Sequence, residues 1–228
     1  MFLGHIAVGF ASKRWAPRTP LVLLVAAPLL ADLLWPLFLL FGIEHVRIDP
    51  GNTRFTPFDF YDYPWSHSLL ALVFWACIIA GLYAGIARYR AGTIALWIGV
   101  VSHWVLDWIT HRPDMPLYPG SHRYGLGLWN SIAGTMIVEL ALFAVGIWLY
   151  LRATKARDRI GAYSFVAFVV VLLAIYVSNL FGGPPPSVKS VIWSAIVAEP
   201  LLLLWVWWFD RHRVTHEQSQ PTPVAAAR

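Results

Sequence analysis

A single cysteine, Cys77, is all the thiol chemistry in this chain. Neither an internal disulfide framework nor a cysteine metal cluster can form from it. Charge is scarce as well, at 13% of residues, with 12 Asp and Glu in 228. A soluble domain carries about 25% charged residues, so that class is excluded. No charged segment precedes the first apolar stretch, Met1–Ala11, and Lys13 and Arg14 follow it, which argues against a cleaved signal peptide. There is no internal repeat of the inverted kind found in many transporters. What the chain has in quantity is apolar: 58% of residues are hydrophobic and the mean hydropathy is +0.61. These values describe an integral membrane protein.

A helix needs about 20 apolar residues to cross a hydrocarbon core. Runs of that order are read at Leu21–Gly42, Trp65–Ala87, Thr93–Thr110, Asn130–Leu151, Gly161–Phe181 and Val191–Phe209. The expected fold class is all-α: a polytopic transmembrane helical bundle of about six spans. Met1–Ala11 is too short to span and is set apart by Pro17 and Pro20, so it reads as a short helix dipping into or lying against the bundle. Residues 1–213 make one membrane-embedded domain. The Gln-, Pro- and Ala-rich segment 214–228 reads as a disordered cytoplasmic tail.

The net charge of +5 and pI near 9.6 point to the membrane and not to nucleic acid, because of where the cations fall. Lys13, Arg14 and Arg18 precede the first span, Arg88 and Arg90 follow the second, Arg152, Lys155, Arg157 and Arg159 follow the fourth, and Arg211 and Arg213 follow the last. The opposite connections are poorer in cations, so the positive-inside rule places both termini in the cytoplasm. The two long connections, Ile43–Pro64 and His111–Trp129, then lie on the outer side. Their Phe55, Phe58, Phe60, Tyr61, Tyr63, Tyr118 and Tyr124 favour packed loops at headgroup level.

Ionisable groups inside apolar runs are costly and are functional by default. His103 and Asp107 stand one helical turn apart in Ser102-His103-Trp104-Val105-Leu106-Asp107, a spacing that puts both on one face. Asp32, Glu139 and Glu199 also interrupt apolar runs, with His5 and His67 near the ends of theirs. Imidazole and carboxylate together suit zinc and other divalent metals, and bundles build such sites from several helices. The competing readings are structural: a hydrogen-bonded His103–Asp107 pair tying helices together, a packing role for His5, a capping or interfacial role for His67. At a rise of ~1.5 Å per residue, His67 comes out roughly 10 Å above His103, so it either belongs to an outer shell or its span starts deeper than the sequence suggests. His111 continues the stripe of His103 and Asp107, as a partner of the ligands or a contact for a substrate headgroup. Arg112 and Arg123 are candidates for a phosphate, against the commoner role of surface arginines beside anionic lipid.

Gly4-His5, Ala31-Asp32, Trp65-Ser66-His67-Ser68, and Ser102-His103 with Asp107 and Thr110 make the chain resemble the YdjM-like bacterial inner-membrane proteins, a family of metal-dependent hydrolases. The resemblance covers roughly the first half of the chain; from Ser131 onward the sequence is merely membrane-like. Leu34 stands where that pattern has a second Asp, and Asp62 where it has the first His of a histidine-rich element. The resemblance implies His5, Asp32, His67, His103 and Asp107 as ligands of a divalent metal such as zinc. It also implies hydrolysis of an ester or phosphoester, in a small-molecule or lipid substrate, at the outer side of a bacterial inner membrane. Glu139 or Asp62 would be the general base, and His111, Arg112 and Arg123 would contact substrate. The rival reading is an ion- or proton-coupled transporter in which Asp32, His103, Asp107, Glu139 and Glu199 form a relay. An enzyme needs these groups gathered at one level, and a relay needs them spread along the membrane normal.

Overall fold

The computed structural model describes residues 1–216; residues 217–228, most of the expected tail, lie outside the described part. The chain opens with α1 (Phe2–Ser12), which is enclosed by the bundle. Leu3, Ile6 and Phe10 are fully buried against Phe143 and Tyr150, Phe165 and Phe168, and Phe209. Glycine permits the close approach on both sides. A Cβ at Gly9 would lie 2.6 Å from the Cα of Val25, and one at Gly146 would lie 2.6 Å from the carbonyl oxygen of Ala7. Such small-residue contacts let membrane helices pack backbone to backbone.

The expected span Leu21–Gly42 is not one helix. It is α2 (Leu21–Ala26) and α3 (Leu30–Leu40), separated by a turn at Ala27–Leu29. Pro28 sits in that turn, and proline lacks the N–H that a continuing helix would use. A hairpin of β1 (His45–Ile48) and β2 (Phe58–Asp62) follows. The next expected span is also divided: α4 (Pro64–His67) ends at Ser68, whose extended backbone (φ −72°, ψ 149°) separates it from α5 (Leu69–Ala87). Helix α6 (Arg90–Thr110) returns beside α5, and β3 (Met115–Pro116) pairs with β4 (Arg123–Tyr124). Then come α7 (Ile132–Ala153), β5 (Thr154–Ala156), α8 (Arg159–Phe181), α9 (Val188–Arg211) and β6 (Arg213–Thr215).

Among the described residues, α5 to α9 are the five helices long and apolar enough to cross a membrane. Side chains such as Ile137, Val145 and Trp148 on α7, and Val197, Leu201 and Leu204 on α9, stand exposed. Exposed apolar surface on that scale belongs in contact with lipid. Helix starts follow local chemistry: Ser68, Ser131, Asp158 and Ser187 each accept from a backbone N–H in the first turn, as N-cap residues do.

The two ends of the bundle differ. At one, both hairpins pack as a lid in which Trp35, Phe60, Tyr63, Met115 and Trp129 share a buried cluster, so part of the aromatic loop content faces inward. At the other, Lys13, Arg18, Arg211 and Arg213 surround a cavity of about 280 Å³. There Asp210 accepts from the Leu21 N–H (3.1 Å), the Tyr150 hydroxyl (2.9 Å) and Lys13 Nζ (3.4 Å). Val214 and Thr215, assigned to the tail by composition, instead pair with β5, because their backbone groups find a ladder there.

Candidate metal centre

Four elements deliver the polar residues beneath the lid. α1 carries His5, α3 carries Asp32, α4 ends on His67, and α6 presents His103 and Asp107 on successive turns. The His5 and His103 rings stack with centroids 4.0 Å apart and planes at 7°, and His67 meets His103 edge-on at 4.9 Å. The estimated 10 Å between His67 and His103 is therefore not observed. The break at Ser68 takes α4 off the line of α5, so residue count no longer measures depth.

Asp107 is the hub. Its Oδ1 lies 3.1 Å from His5 Nε2 and also pairs with the Met1 amino group. Its Oδ2 lies 3.1 Å from His103 Nε2 and 3.4 Å from His111 Nε2. Asp32 Oδ1 is 3.6 Å from His67 Nε2. Donor atoms 2.0–2.2 Å from a tetrahedral zinc stand roughly 3.3–3.6 Å apart, the range these pairs bracket. Two overlapping groups have all their ligand atoms within 4.8 Å of one another: His5, His103 and Asp107, and Asp32, His67 and His103.

The imidazole orientations are set from outside the cluster. His103 Nδ1 is 2.8 Å from the Pro28 carbonyl oxygen, which can only accept, so this nitrogen carries the hydrogen. The break at Pro28 thus places a backbone acceptor against a candidate ligand. With Nδ1 committed, His103 Nε2 turns toward a carboxylate oxygen without hydrogen-bonding geometry and is buried without a partner. In a neutral imidazole this nitrogen would turn a lone pair to a carboxylate oxygen at 3.1 Å, an arrangement that a cation bound beside the two would relieve. His5 Nδ1 and Glu139 Oε1 are likewise buried and unpartnered.

Glu139 is fully buried on α7, and its Oε2 accepts from the Leu3 N–H at 2.7 Å. It therefore holds the N-terminus of α1, where a carboxylate is favoured by the helix dipole, and through α1 it fixes His5. Asp62 is elsewhere. It is half-exposed on β2 and bonded to His45 Nδ1 at 2.9 Å, because strand pairing sets the two opposite each other. That placement leaves Asp62 outside the two candidate ligand groups.

His111 joins the cluster at Asp107 and passes a second contact outward, its Nδ1 2.9 Å from Asp114 Oδ1. The Tyr63 hydroxyl donates to the same oxygen at 3.0 Å. Burial, with the Asp114 charge beside it, pushes the Tyr63 hydroxyl well above its ordinary pKa, so it stays a donor. Arg112 pairs with Asp59 and reaches Asp114 Oδ2 at 3.4 Å. Arg123 donates to the carbonyls of Phe60 (3.4 Å) and Tyr61 (2.5 Å). Both arginines stitch the lid together.

The sequence reading missed Glu44, Ser66, Asp59 and Asp114. Glu44 is buried beside the candidate ligands, accepting from the N–H groups of Trp65 (2.7 Å) and Ser66 (2.8 Å) and from the Ser66 hydroxyl (2.6 Å). Burial raises its pKa, and those three donors oppose the rise. Asp114 follows His111 by three residues, a spacing that could have been noticed; nothing in the loop sequence marks Glu44.

One side of the cluster is open. The Asp32 side chain is 32% exposed, whereas His5, His67, His103 and Asp107 are buried.

A family model for the YdjM inner membrane protein matches residues 1–182. The chain belongs to this family. The match extends past the first half of the chain, through α7 and α8, and takes in every residue of the cluster together with Glu139; α9 falls outside it. The family and the five apolar helices make the protein an integral membrane protein of inner-membrane type. No curated protein and no solved structure matches the chain.

Proposed function

We propose that His5, Asp32, His67, His103 and Asp107 hold a divalent metal ion, zinc being the best fit to the donor set, and that the protein is a metal-dependent hydrolase of an ester or phosphoester. The observation that carries this reading is the contact of His103 Nε2 with Asp107 Oδ2 at 3.1 Å while Nδ1 is committed to Pro28. His103 Nε2 belongs to both ligand groups and can serve only one ion at a time, which favours a single centre. Such an ion supplies Lewis acidity and makes water more acidic. Glu139 Oε1, buried and without a hydrogen-bond partner, would be the group available to accept a proton. The exposed side of Asp32 is where a substrate would approach, and a site inside an apolar bundle suits a membrane lipid. Arg112 and Arg123, already partnered in the lid, would serve as headgroup contacts. By the positive-inside rule we read the basic end as facing the cytoplasm and the lid as facing the outer side.

A relay for protons or ions is the second reading, and Glu199 favours it, standing close enough to Asp32 for their charges to interact. Against it, Asp32 and Asp107 lie in one cluster, and Asp210, at the basic end, is bonded to Leu21, Tyr150 and Lys13.

Elemental analysis of detergent-purified protein tests the proposal. Stoichiometric transition metal in the native chain, lost in His103→Ala, together with chelator-sensitive cleavage of ester or phosphoester lipids, is the expected result. Absence of metal from both proteins overturns it. Chelator-insensitive proton flux in proteoliposomes would establish the relay.

A further inference from the structure

Ser66 lies between two groups that determine where its hydrogen must go. On one side Glu44 Oε2 is 2.6 Å from Ser66 Oγ, and on the other His67 Nδ1 is 2.6 Å from the same oxygen. A serine hydroxyl has one hydrogen, and an ionised carboxylate only accepts. The other Glu44 oxygen accepts from two backbone N–H groups, Trp65 and Ser66, so the carboxylate faces donors on every contact. The Ser66 hydrogen therefore points to Glu44, and Ser66 Oγ is left to accept from His67 Nδ1–H. A neutral imidazole has one N–H; with it on Nδ1, the lone pair is on Nε2, 3.6 Å from Asp32 Oδ1 and among the candidate ligand atoms.

We propose that Glu44, acting through Ser66, is a positioning residue that fixes the tautomer of His67 so that its Nε2 lone pair faces the metal centre. This rests on the reading of the cluster as a metal site. The same logic recurs around the cluster, where His103 Nδ1 has the Pro28 carbonyl and His111 Nδ1 has Asp114. For His103 the acceptor comes from the backbone, and for His67 it is the neighbouring Ser66 hydroxyl, itself oriented by a loop residue 23 positions from His67 in sequence. An outer partner of this kind sets ring orientation and ligand basicity.

Glu44 also accepts from two backbone N–H groups of the four-residue helix α4, and the test must separate that role from the one proposed. Glu44→Gln does so. Its carbonyl oxygen still accepts from Trp65 and Ser66, while its amide group donates to Ser66 Oγ. The Ser66 hydrogen must then turn to His67 Nδ1, and the imidazole hydrogen moves to Nε2. Ser66→Ala removes the link without touching Glu44.

The experiment is nitrogen-15 NMR of the His67 side chain in chelator-treated full-length protein, with zinc affinity measured by competition against a chelator. The native protein is expected to show a protonated Nδ1 and a bare Nε2, Glu44→Gln the reverse, and Ser66→Ala a mixture. Zinc affinity should fall about 10–100-fold in both variants. An unchanged His67 tautomer in both variants overturns the inference, as does unchanged zinc affinity in a native protein that binds zinc. If the native protein binds no zinc, the metal reading fails by itself, and the tautomer in the metal-free protein still decides the role of Glu44. Should Glu44→Gln not fold, Ser66→Ala carries the same decision.

Discussion

His103 donates from Nδ1 to the carbonyl oxygen of Pro28 at 2.8 Å and turns Nε2 toward Asp107 Oδ2 at 3.1 Å. One proline thus does two things: it divides what would have been a continuous span, and it supplies the acceptor that orients a ligand on another helix. Asp107 completes the arrangement with imidazoles on both of its oxygens.

Asp107→Asn keeps the size of the side chain and removes its charge. It should lower zinc affinity by more than about 100-fold, beyond the 10–100-fold typical of outer-shell partners. Competition titration of the purified protein checks this, and an affinity within a few-fold of the native value would remove Asp107 from the ligand set.

Glu139 has two oxygens with separable duties, one on the Leu3 N–H and one unpartnered. Glu139→Ala should cost about 0.5–2 kcal/mol of stability, the range for a lost N-cap. Glu139→Gln should preserve most of that stability, since its carbonyl still accepts, and should abolish turnover of an ester substrate. Thermal midpoints measured beside turnover distinguish the two, and full turnover in Glu139→Gln would dismiss it as the base.

At Gly146 a methyl group would meet the Ala7 backbone at 2.6 Å. Gly146→Ala should therefore push α1 off α7, costing about 1–3 kcal/mol by overpacking, and should weaken zinc binding because His5 moves with α1. A loss of stability with zinc affinity intact would mean that α1 does not carry a ligand.

Asp210 provides the complementary control at the basic end. Asp210→Ala removes acceptors from Leu21, Lys13 and Tyr150 and should destabilise the protein by about 1–3 kcal/mol. Metal content should not change, because the residue touches none of the candidate ligands; metal loss would show that the two ends are coupled.

Much of the candidate site was legible because polar groups in an apolar sequence are conspicuous. His5, Asp32, His67, His103 and Asp107 could each be picked out against their neighbours, and they occupy one cluster. Glu44 could not, since a loop already rich in charge hides a residue whose importance lies in what it touches, and Ser66, though it stands beside His67 in the motif, gave no sign of its link to Glu44. The position of Asp62 was equally hidden: its place in a motif says nothing of its strand partner, His45.

The sequence alone determined that this chain lives in a membrane and forms helices, because hydrocarbon offers the backbone no other donors or acceptors and long apolar runs must satisfy their own. It also determined which side chains are too costly to be idle there. The tertiary structure decided which atoms meet: that the first expected span divides at Pro28, that His67 reaches His103, that Glu139 holds the start of α1, and that the lid closes over Asp107 while Asp32 stays open. Periodicity describes one helix at a time, whereas convergence on a centre depends on how separate helices end, break and cross. Those are properties of packing and of directional hydrogen bonds between residues far apart in the chain.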